Sequence, residues 1–332
     1  MNAKGKVSIA MVGCGGMPNA VHLPSLTSFD DVEIVGICDL VPELLHERGD
    51  KFEIPRERRF ELRHQDDYQE MLQKVKPDGV YVIGQPHLMY DIWTWCLEQK
   101  LNLYIEKPMG ITIHQARSLA HLAQENGCIT QVSHQRRVAP LLRKMREACL
   151  ERGPITHGVV EFYKCAIEPF LLARDHMLDD CTHSVDTARW ICGGEVTSVE
   201  SHCKRIEVPD INWIGITLQF DNGSSCYVVN SWASGRRIFR VQMHAPKIYA
   251  DVDLEKRAQL CSDGDYDGEM FDAFEVAGSE ENYICGGFQA KNREFIDSLK
   301  TGNEVTSSPF RDTVKTMEVC ETVLAQALFA GV

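Results

Sequence analysis

Three short clusters in this sequence combine residue types and spacings suited to redox and proton-transfer chemistry. The first is Val12-Gly13-Cys14-Gly15-Gly16-Met17-Pro18, which follows an apolar run and opens a helical stretch. Gly13 and Gly15 allow a tight turn and the close approach of a pyrophosphate, whose charge then sits at a helix N-terminus. Pro18 stands where the fingerprint has a third glycine, and proline is tolerated in a first helical turn. An ordinary strand-to-helix turn has the same composition, so the context decides. Asp39 ends the next apolar run, about twenty residues on, where an acid accepts from the hydroxyls of an adenosine ribose. Capping the helix after Pro42 is the plainer role for Asp39. Strand, glycine turn, helix, strand and terminal acid in that order favour a dinucleotide, and a carboxylate there repels a 2′-phosphate, favouring NAD over NADP.

The second cluster, Leu103-Tyr104-Ile105-Glu106-Lys107-Pro108, closes an apolar run with two opposite charges and a proline. Ligands of parallel α/β sheets bind at the carboxyl ends of strands, where a lysine can stabilise negative charge developing on a substrate oxygen. A surface ion pair is the alternative. The third is Leu178-Asp179-Asp180-Cys181-Thr182-His183-Ser184-Val185-Asp186. Helical spacing places Asp179, His183, Asp186 and Trp190 on one face, with a carboxylate one turn to either side of a histidine that could act as general base. Asp175, His176, Asp179, Asp180 and His183 also lie close in sequence, but there is no HExxH, and hydride transfer to a nicotinamide needs no ion. No metal is expected.

Five apolar, β-branched runs position the first two clusters: 7–12, 33–38, 79–83, 103–105 and 130–132. Helical stretches begin between them near Pro18, Pro42, Asp67, His87 and Thr112, and this alternation predicts βαβ crossovers and a parallel sheet covered on both faces. The pair Trp93 and Trp95 on one of these helices reads as packing. A further helix stops at Arg152-Gly153-Pro154, dividing the chain into domains 1–153 and 154–332, with helices between 288 and 330 able to pack back on the first. Strands are expected at 156–164, 196–206, 213–220, 224–232 and 238–244, with the Asp221-Asn222-Gly223 turn making a hairpin and a helix over 178–192 ending at Gly193-Gly194. Helices at 288–299 and 310–330 close the chain. In this second sheet Ile214, Ile216, Leu218 and Phe220 form one apolar face, while Tyr227 and Val229 oppose Val228. A sheet apolar on both faces needs two covers, so a dimer or tetramer is expected.

Composition excludes several alternatives. The 332 residues exceed one ordinary core of ~250–300 residues, and 44% hydrophobic with 25% charged residues is a folded, water-soluble balance. A net charge of −13 repels phosphate backbones and anionic lipid, so neither nucleic acid nor membrane is an expected partner. Only short basic runs, Gln135-Arg136-Arg137 and Gly235-Arg236-Arg237, break that balance. Thirteen scattered cysteines with no CxxC pair suit a reducing cytoplasm better than a disulfide framework. The two N-terminal lysines lead into an apolar stretch that runs directly into the glycine turn, which reads as a first strand and not as a signal peptide. No apolar run reaches the ~20 residues of a membrane span.

The turn GCGGMP, Cys38-Asp39-Leu40, the EKP at 106–108, QRRVAP at 135–140 and DDCTHSVDTARW from 179 together resemble the glucose-fructose oxidoreductase, inositol dehydrogenase and MocA (Gfo/Idh/MocA) family over nearly the whole chain. The resemblance implies an N-terminal Rossmann domain with a doubly wound parallel sheet, and a C-terminal α+β domain on an open, mostly antiparallel sheet. It also implies NAD(P)-dependent oxidation or reduction of a sugar, cyclitol or derivative. Lys107, Asp179 and His183 take the family's catalytic positions. Gly13, Gly15, Gly16, Met17, Asp39, Pro86, His87, Glu106, Lys107 and Arg136 take its cofactor positions. The sequence departs from the family at Gln85-Pro86-His87, where TPNxxH is usual, and at Arg174-Asp175-His176-Met177, where a glycine-rich entry to the catalytic helix is common. Two other functions share these features: redox-neutral cleavage of a glycoside by an enzyme that keeps its NAD, and non-catalytic sensing of NAD or sugar.

Overall fold

The computed structural model describes residues 5–332. Met1–Lys4, which hold the first of the two N-terminal lysines, lie outside the described residues. The chain forms two compact units: residues up to Ser133 with Phe288–Val314, and His134–Gly287 with Lys315–Val332.

In the first unit the apolar runs become β1 (Val7–Val12), β2 (Val32–Asp39), β3 (Arg59–Glu61), β4 (Gly79–Val82), β5 (Leu103–Ile105) and β6 (Thr130–Val132). They form one parallel sheet in the order β3-β2-β1-β4-β5-β6, the doubly wound order of dinucleotide-binding folds. Every residue of β1 is buried, as a central parallel strand requires. Strand β3 was not expected: Arg59-Phe60-Glu61 has no apolar run, and its pairing with Ile37–Asp39 defines it. A π-helical turn, Pro18–His22, runs into α1 (Leu23–Thr27), followed by α2 (Pro42–Lys51), α3 (Tyr68–Val75), α4 (Pro86–Glu98) and α5 (Ile113–Asn126). The Thr112 hydroxyl caps α5 by accepting from the Gln115 amide at 3.2 Å. Trp93 is buried and donates to the Val82 carbonyl at 3.2 Å, and Trp95 meets Tyr68 edge-on, so both tryptophans pack.

The second unit contains α6 (Pro140–Arg152), β7 (His157–Cys165), a second π-helical turn Met177–Cys181 leading into α7 (Thr182–Cys192), and strands β8 (Val196–Lys204), β9 (Trp213–Phe220), β10 (Ser225–Ser231), β11 (Ala233–Ala245), β12 (Ile248–Asp253), β13 (Arg257–Ser262) and β14 (Glu269–Asp272). Short helices α8 (Ala273–Ala277) and α9 (Asn282–Cys285) follow. The eight-stranded sheet has the order β14-β13-β12-β11-β7-β10-β9-β8. All its pairs are antiparallel except β7 with β10. The expected hairpin forms, with Gly223 at φ +83 and the Phe220 amide donating to the Ser224 carbonyl. Strands β12 to β14 were not expected, although Ile248, Ala250 and Val252 of β12 alternate regularly and are buried. Helix α6, placed by the sequence pattern at the end of the first domain, packs on β11 and β12.

Two helices close the chain, α10 (Phe288–Thr301) and α11 (Phe310–Phe329). The first belongs to the nucleotide-fold unit. Tyr81 and Tyr104 stack at 4.3 Å on neighbouring strands, and Phe295 of α10 meets both edge-on at 5.6 and 5.7 Å. A Cβ at Gly79 would lie 2.6 Å from Leu299 Cδ1, so the absent side chain lets α10 sit close to the sheet. Among the described residues no helix is long and apolar enough to cross a membrane. Phe295 is fully buried while Phe329 is 92% exposed. Phe295→Ala is therefore expected to cost about 3–5 kcal/mol of stability and Phe329→Ala less than about 0.5 kcal/mol. Urea unfolding of the two variants beside the parent chain checks this, and equal losses would contradict the packing of α10.

Candidate active site

Four carboxyl ends, those of β1, β2, β4 and β5, carry the first-unit residues singled out from the sequence. Gly13 follows β1 with φ +95, and a Cβ there would lie 2.1 Å from the Ile83 carbonyl oxygen beyond β4. Glycine is thus required where two strand ends converge. At Gly15 and Gly16 a Cβ would meet nothing within 4 Å, so open space lies over the start of the helix. Asp39 sits directly beside this turn: one carboxylate oxygen accepts from the Cys14 amide at 2.6 Å and the other from the Val41 amide at 2.8 Å. Met17, Leu40, Val41 and Leu88 are exposed apolar side chains. An anion-receptive helix start, a strand-end acid and unsatisfied apolar surface fit a dinucleotide. Burial, and after it Asp39, pushes the Cys14 thiol up to about 12, which keeps it protonated and unreactive. Pro86 is buried as the first residue of α4, whereas His87 is exposed.

Glu106 and Lys107 divide their roles. Glu106 is 8% exposed and its Oε1 meets His22 Nε2 at 2.9 Å. His22, wholly buried at the end of the first π-helical turn, also reaches Asn292 Oδ1 of α10 through Nδ1 at 3.2 Å. The acid of the EKP segment is therefore held inside the protein, and the half-buried Lys107 follows it. The sequence held no signal for His22 beyond its place after the glycine turn.

In the second unit, His183 is 8% exposed near the start of α7, and its ring meets that of His134 edge-on at 6.5 Å. The two carboxylates expected to flank it are each engaged by arginine. Asp186 is gripped by Arg137, Nε to Oδ2 at 2.8 Å and Nη2 to Oδ1 at 2.5 Å, and accepts from Thr316 at 3.1 Å. His134 Nδ1 lies 3.6 Å from the same carboxylate. Asp179 Oδ1 accepts from Arg174 Nε at 2.8 Å and Nη2 at 2.6 Å. Arg174 belongs to the charged segment Arg174-Asp175-His176-Met177 that precedes the π-helical turn. Asp179 also lies in the π-helical turn Met177–Cys181, where the backbone has more residues per turn than the α-helix assumed from the sequence.

The remaining polar residues of this face are likewise committed. Asp180 pairs with Lys164 of β7. Asp175 accepts from the Leu178 amide at 2.9 Å. His176 is sandwiched between Phe170 at 4.2 Å and Trp232 at 3.9 Å, and burial lowers its pKa. Asp179 and Asp180 are engaged by separate cations, and this stretch holds no group of three His, Cys, Asp or Glu placed for a metal, nor does any other among the described residues. Arg136, grouped by resemblance with the cofactor residues, lies in the second unit over the ring of Phe239 at 3.9 Å. Sequence reasoning did not single out His134 or Lys164, and it named Arg137 and Arg174 without the partners Asp186 and Asp179 that the structure gives them.

Burial raises the affinity of Asp186 for its proton, but Arg137, then His134, more than reverse this and hold the carboxyl well below the usual range. A group depressed in the folded state stabilises above its unfolded pKa of ~3.9 and loses that contribution as pH falls through the folded value. Asp186→Asn leaves the Arg137 charge buried and uncompensated, with an expected loss of about 3–5 kcal/mol at pH 7. The gap to the parent chain should narrow below about pH 4. Urea midpoints at pH 7 and pH 3 test this; a gap of equal size at both would show that the charge of Asp186 is immaterial.

Comparison with known proteins agrees with this anatomy. Residues 7–134 match the model of the oxidoreductase family with an NAD-binding Rossmann fold, and 171–247 match the Gfo/Idh/MocA C-terminal domain. Among curated relatives, scyllo-inositol 2-dehydrogenase (NAD(+)) of Bacillus subtilis is 24% identical over 66% of this chain and 66% of its own length. D-glucoside 3-dehydrogenase of Escherichia coli is 26% identical over 58% of this chain and 56% of its own. These matches span less than two thirds of either relative. A dehydrogenase structure from Chromobacterium violaceum superposes with a TM-score of 0.86 at 18% identity, covering 98% of this chain and 97% of that one. The paired N- and C-terminal matches and the shared doubly wound and open-sheet architecture place the chain in the Gfo/Idh/MocA family of NAD-binding oxidoreductases.

Proposed function

We propose that this protein is a dehydrogenase that oxidises a hydroxyl of a sugar, cyclitol or derivative, or reduces the corresponding carbonyl, with NAD in preference to NADP. The observation that carries the reading is the turn at 13–17, open over Gly15 and Gly16 and bordered by the Asp39 carboxylate. The relatives that act on an inositol and on glucosides support the substrate class. When bound, the nicotinamide accepts or returns the hydride.

The chain's own residues supply the rest. His183 takes the hydroxyl proton during oxidation and returns it during reduction, and Asp179, held by Arg174, orients it. Lys107 places positive charge at the reacting oxygen, where it stabilises the charge that develops. Gly13, Gly15, Gly16 and Met17 form the pyrophosphate turn, with Pro86 and His87 at the neighbouring strand end. Preference for NAD follows from Asp39 and from the engagement of the nearest cations: Lys51 donates to Asn19 at 2.8 Å and Arg48 pairs with Glu47. Thirteen cysteines, all present as thiols, support a reducing cytoplasmic setting. Tyr227 is 48% exposed on β10, and we assign the cover of that sheet face to a second copy of the chain. A solution mass of 37.5 kDa by light scattering at micromolar concentration would contradict this assignment.

Kinetic measurements test these roles. Purified protein screened with sugars and inositols should accumulate NADH in step with substrate consumed; turnover without NADH would favour the redox-neutral reaction, and NAD binding without turnover a sensor. His183→Ala should lower kcat by about 10²–10⁴-fold with little change in NAD affinity, and should abolish the acidic limb of the kcat/KM profile for oxidation. Lys107→Met should lower kcat and also raise KM, because its charge meets the oxygen in ground and transition states alike. A specificity constant higher with NADP than with NAD would overturn the role of Asp39.

A further inference from the structure

The two short basic runs of the sequence converge on one ring. Arg136 Cζ lies 5.3 Å from the centroid of Phe162 and 3.9 Å from that of Phe239. Arg237 Cζ lies 5.2 Å from Phe162, and Lys164 Nζ 5.3 Å from the same centroid. Three cations from the 3₁₀ turn at 135–138, β7 and β11 thus surround one buried phenyl group, all within the second unit.

Two of these charges have a counter-ion. Lys164 pairs with Asp180, and Arg237 Nε donates to Glu255 Oε1 at 2.9 Å. The Arg136 guanidinium has none: it is 6% exposed, and its buried Nε and Nη1 find no acceptor among the described residues. The ring faces of Phe239 and Phe162 offset part of the cost of burying a charge, but they offer no lone pair to a fork of N–H donors. Burial pulls down the proton affinity of this arginine, with Asp180 the first influence opposing it. A planar carboxylate or a phosphate oxygen pair matches the fork in shape and sign. Through Asp180, Lys164 ties the cluster to the π-helical turn that carries Asp179.

We infer that Arg136, Lys164 and Arg237 form an anion subsite, and that the substrate is a sugar or cyclitol bearing a carboxylate or phosphate. This rests on the reading of the second unit as the substrate-binding one. It also moves Arg136 from the cofactor to the substrate, and the cofactor's own pyrophosphate is the rival source of the same chemistry.

Calorimetry on the NAD-saturated protein at fixed ionic strength, with hexuronates, hexose phosphates and inositol phosphates each set against its neutral counterpart, tests the inference. At least one anionic member should bind about 10–100-fold tighter than its neutral partner, and Arg136→Met should remove that margin while leaving NAD affinity within about threefold. Lys164→Gln and Arg237→Gln, at partly exposed side chains, should each reduce the margin and serve if Arg136→Met fails to fold. No margin for any anionic member overturns the inference, as does a loss confined to NAD affinity, or inorganic phosphate binding as tightly as the sugar phosphates. Tight anionic binding without NADH formation would instead leave the subsite standing and refute the dehydrogenase.

Discussion

A histidine sealed beneath the dinucleotide turn joins three distant stretches of the first unit. His22 ends the π-helical turn that follows Gly13–Met17, Glu106 ends β5, and Asn292 lies on α10. None of these groups could be buried alone without a large desolvation penalty, so each holds the others in place. The helix that follows the glycine turn and the strand end that carries Lys107 are thereby set relative to one another, with the stacked Tyr81 and Tyr104 and the edge of Phe295 filling the space around them.

The second unit uses the same device with opposite polarity. Here a buried carboxylate, Asp186, is held by the bidentate Arg137 and by Thr316, with His134 close by. Arg137 comes from the turn at 135–138, Asp186 from α7 and Thr316 from α11, so three elements are again bound through one charge. In both units a π-helical turn lies within a few residues of this anchor, at Pro18–His22 and Met177–Cys181. Such turns recur at functional sites because they re-aim side chains without ending a helix. Asp179, clasped by Arg174, lies in the second of them.

The charges that carry function and those that carry stability are consequently hard to separate by type. Asp186 has the spacing of a residue that tunes His183, yet its oxygens serve Arg137. Glu106 has the position of a cofactor contact, yet it meets His22. Conversely, Arg136 of the turn at 135–138 and Arg237 of β11 stand far apart in the chain and meet at the ring of Phe162 on β7.

By itself, the sequence determined what depends on local order. The parallel sheet follows from apolar runs alternating with helices, the glycine turn and Asp39 from their place in that alternation, and the hairpin from Asp221-Asn222-Gly223, whose glycine alone takes φ +83 at little cost. These features need only neighbours within a few residues, which period and turn chemistry encode. Tertiary structure alone decided β3, whose short polar sequence becomes a strand because β2 supplies an edge of hydrogen bonds, and the ladder of β12 to β14 that extends the second sheet. It alone decided the partners of the buried charges, and the two π-helical turns that depart from simple periodicity. A histidine, an arginine and an aspartate read alike wherever they stand in a chain. Which of them meet depends on long-range pairing and on the desolvation that burial imposes, and neither is written in the spacing of residues along the sequence.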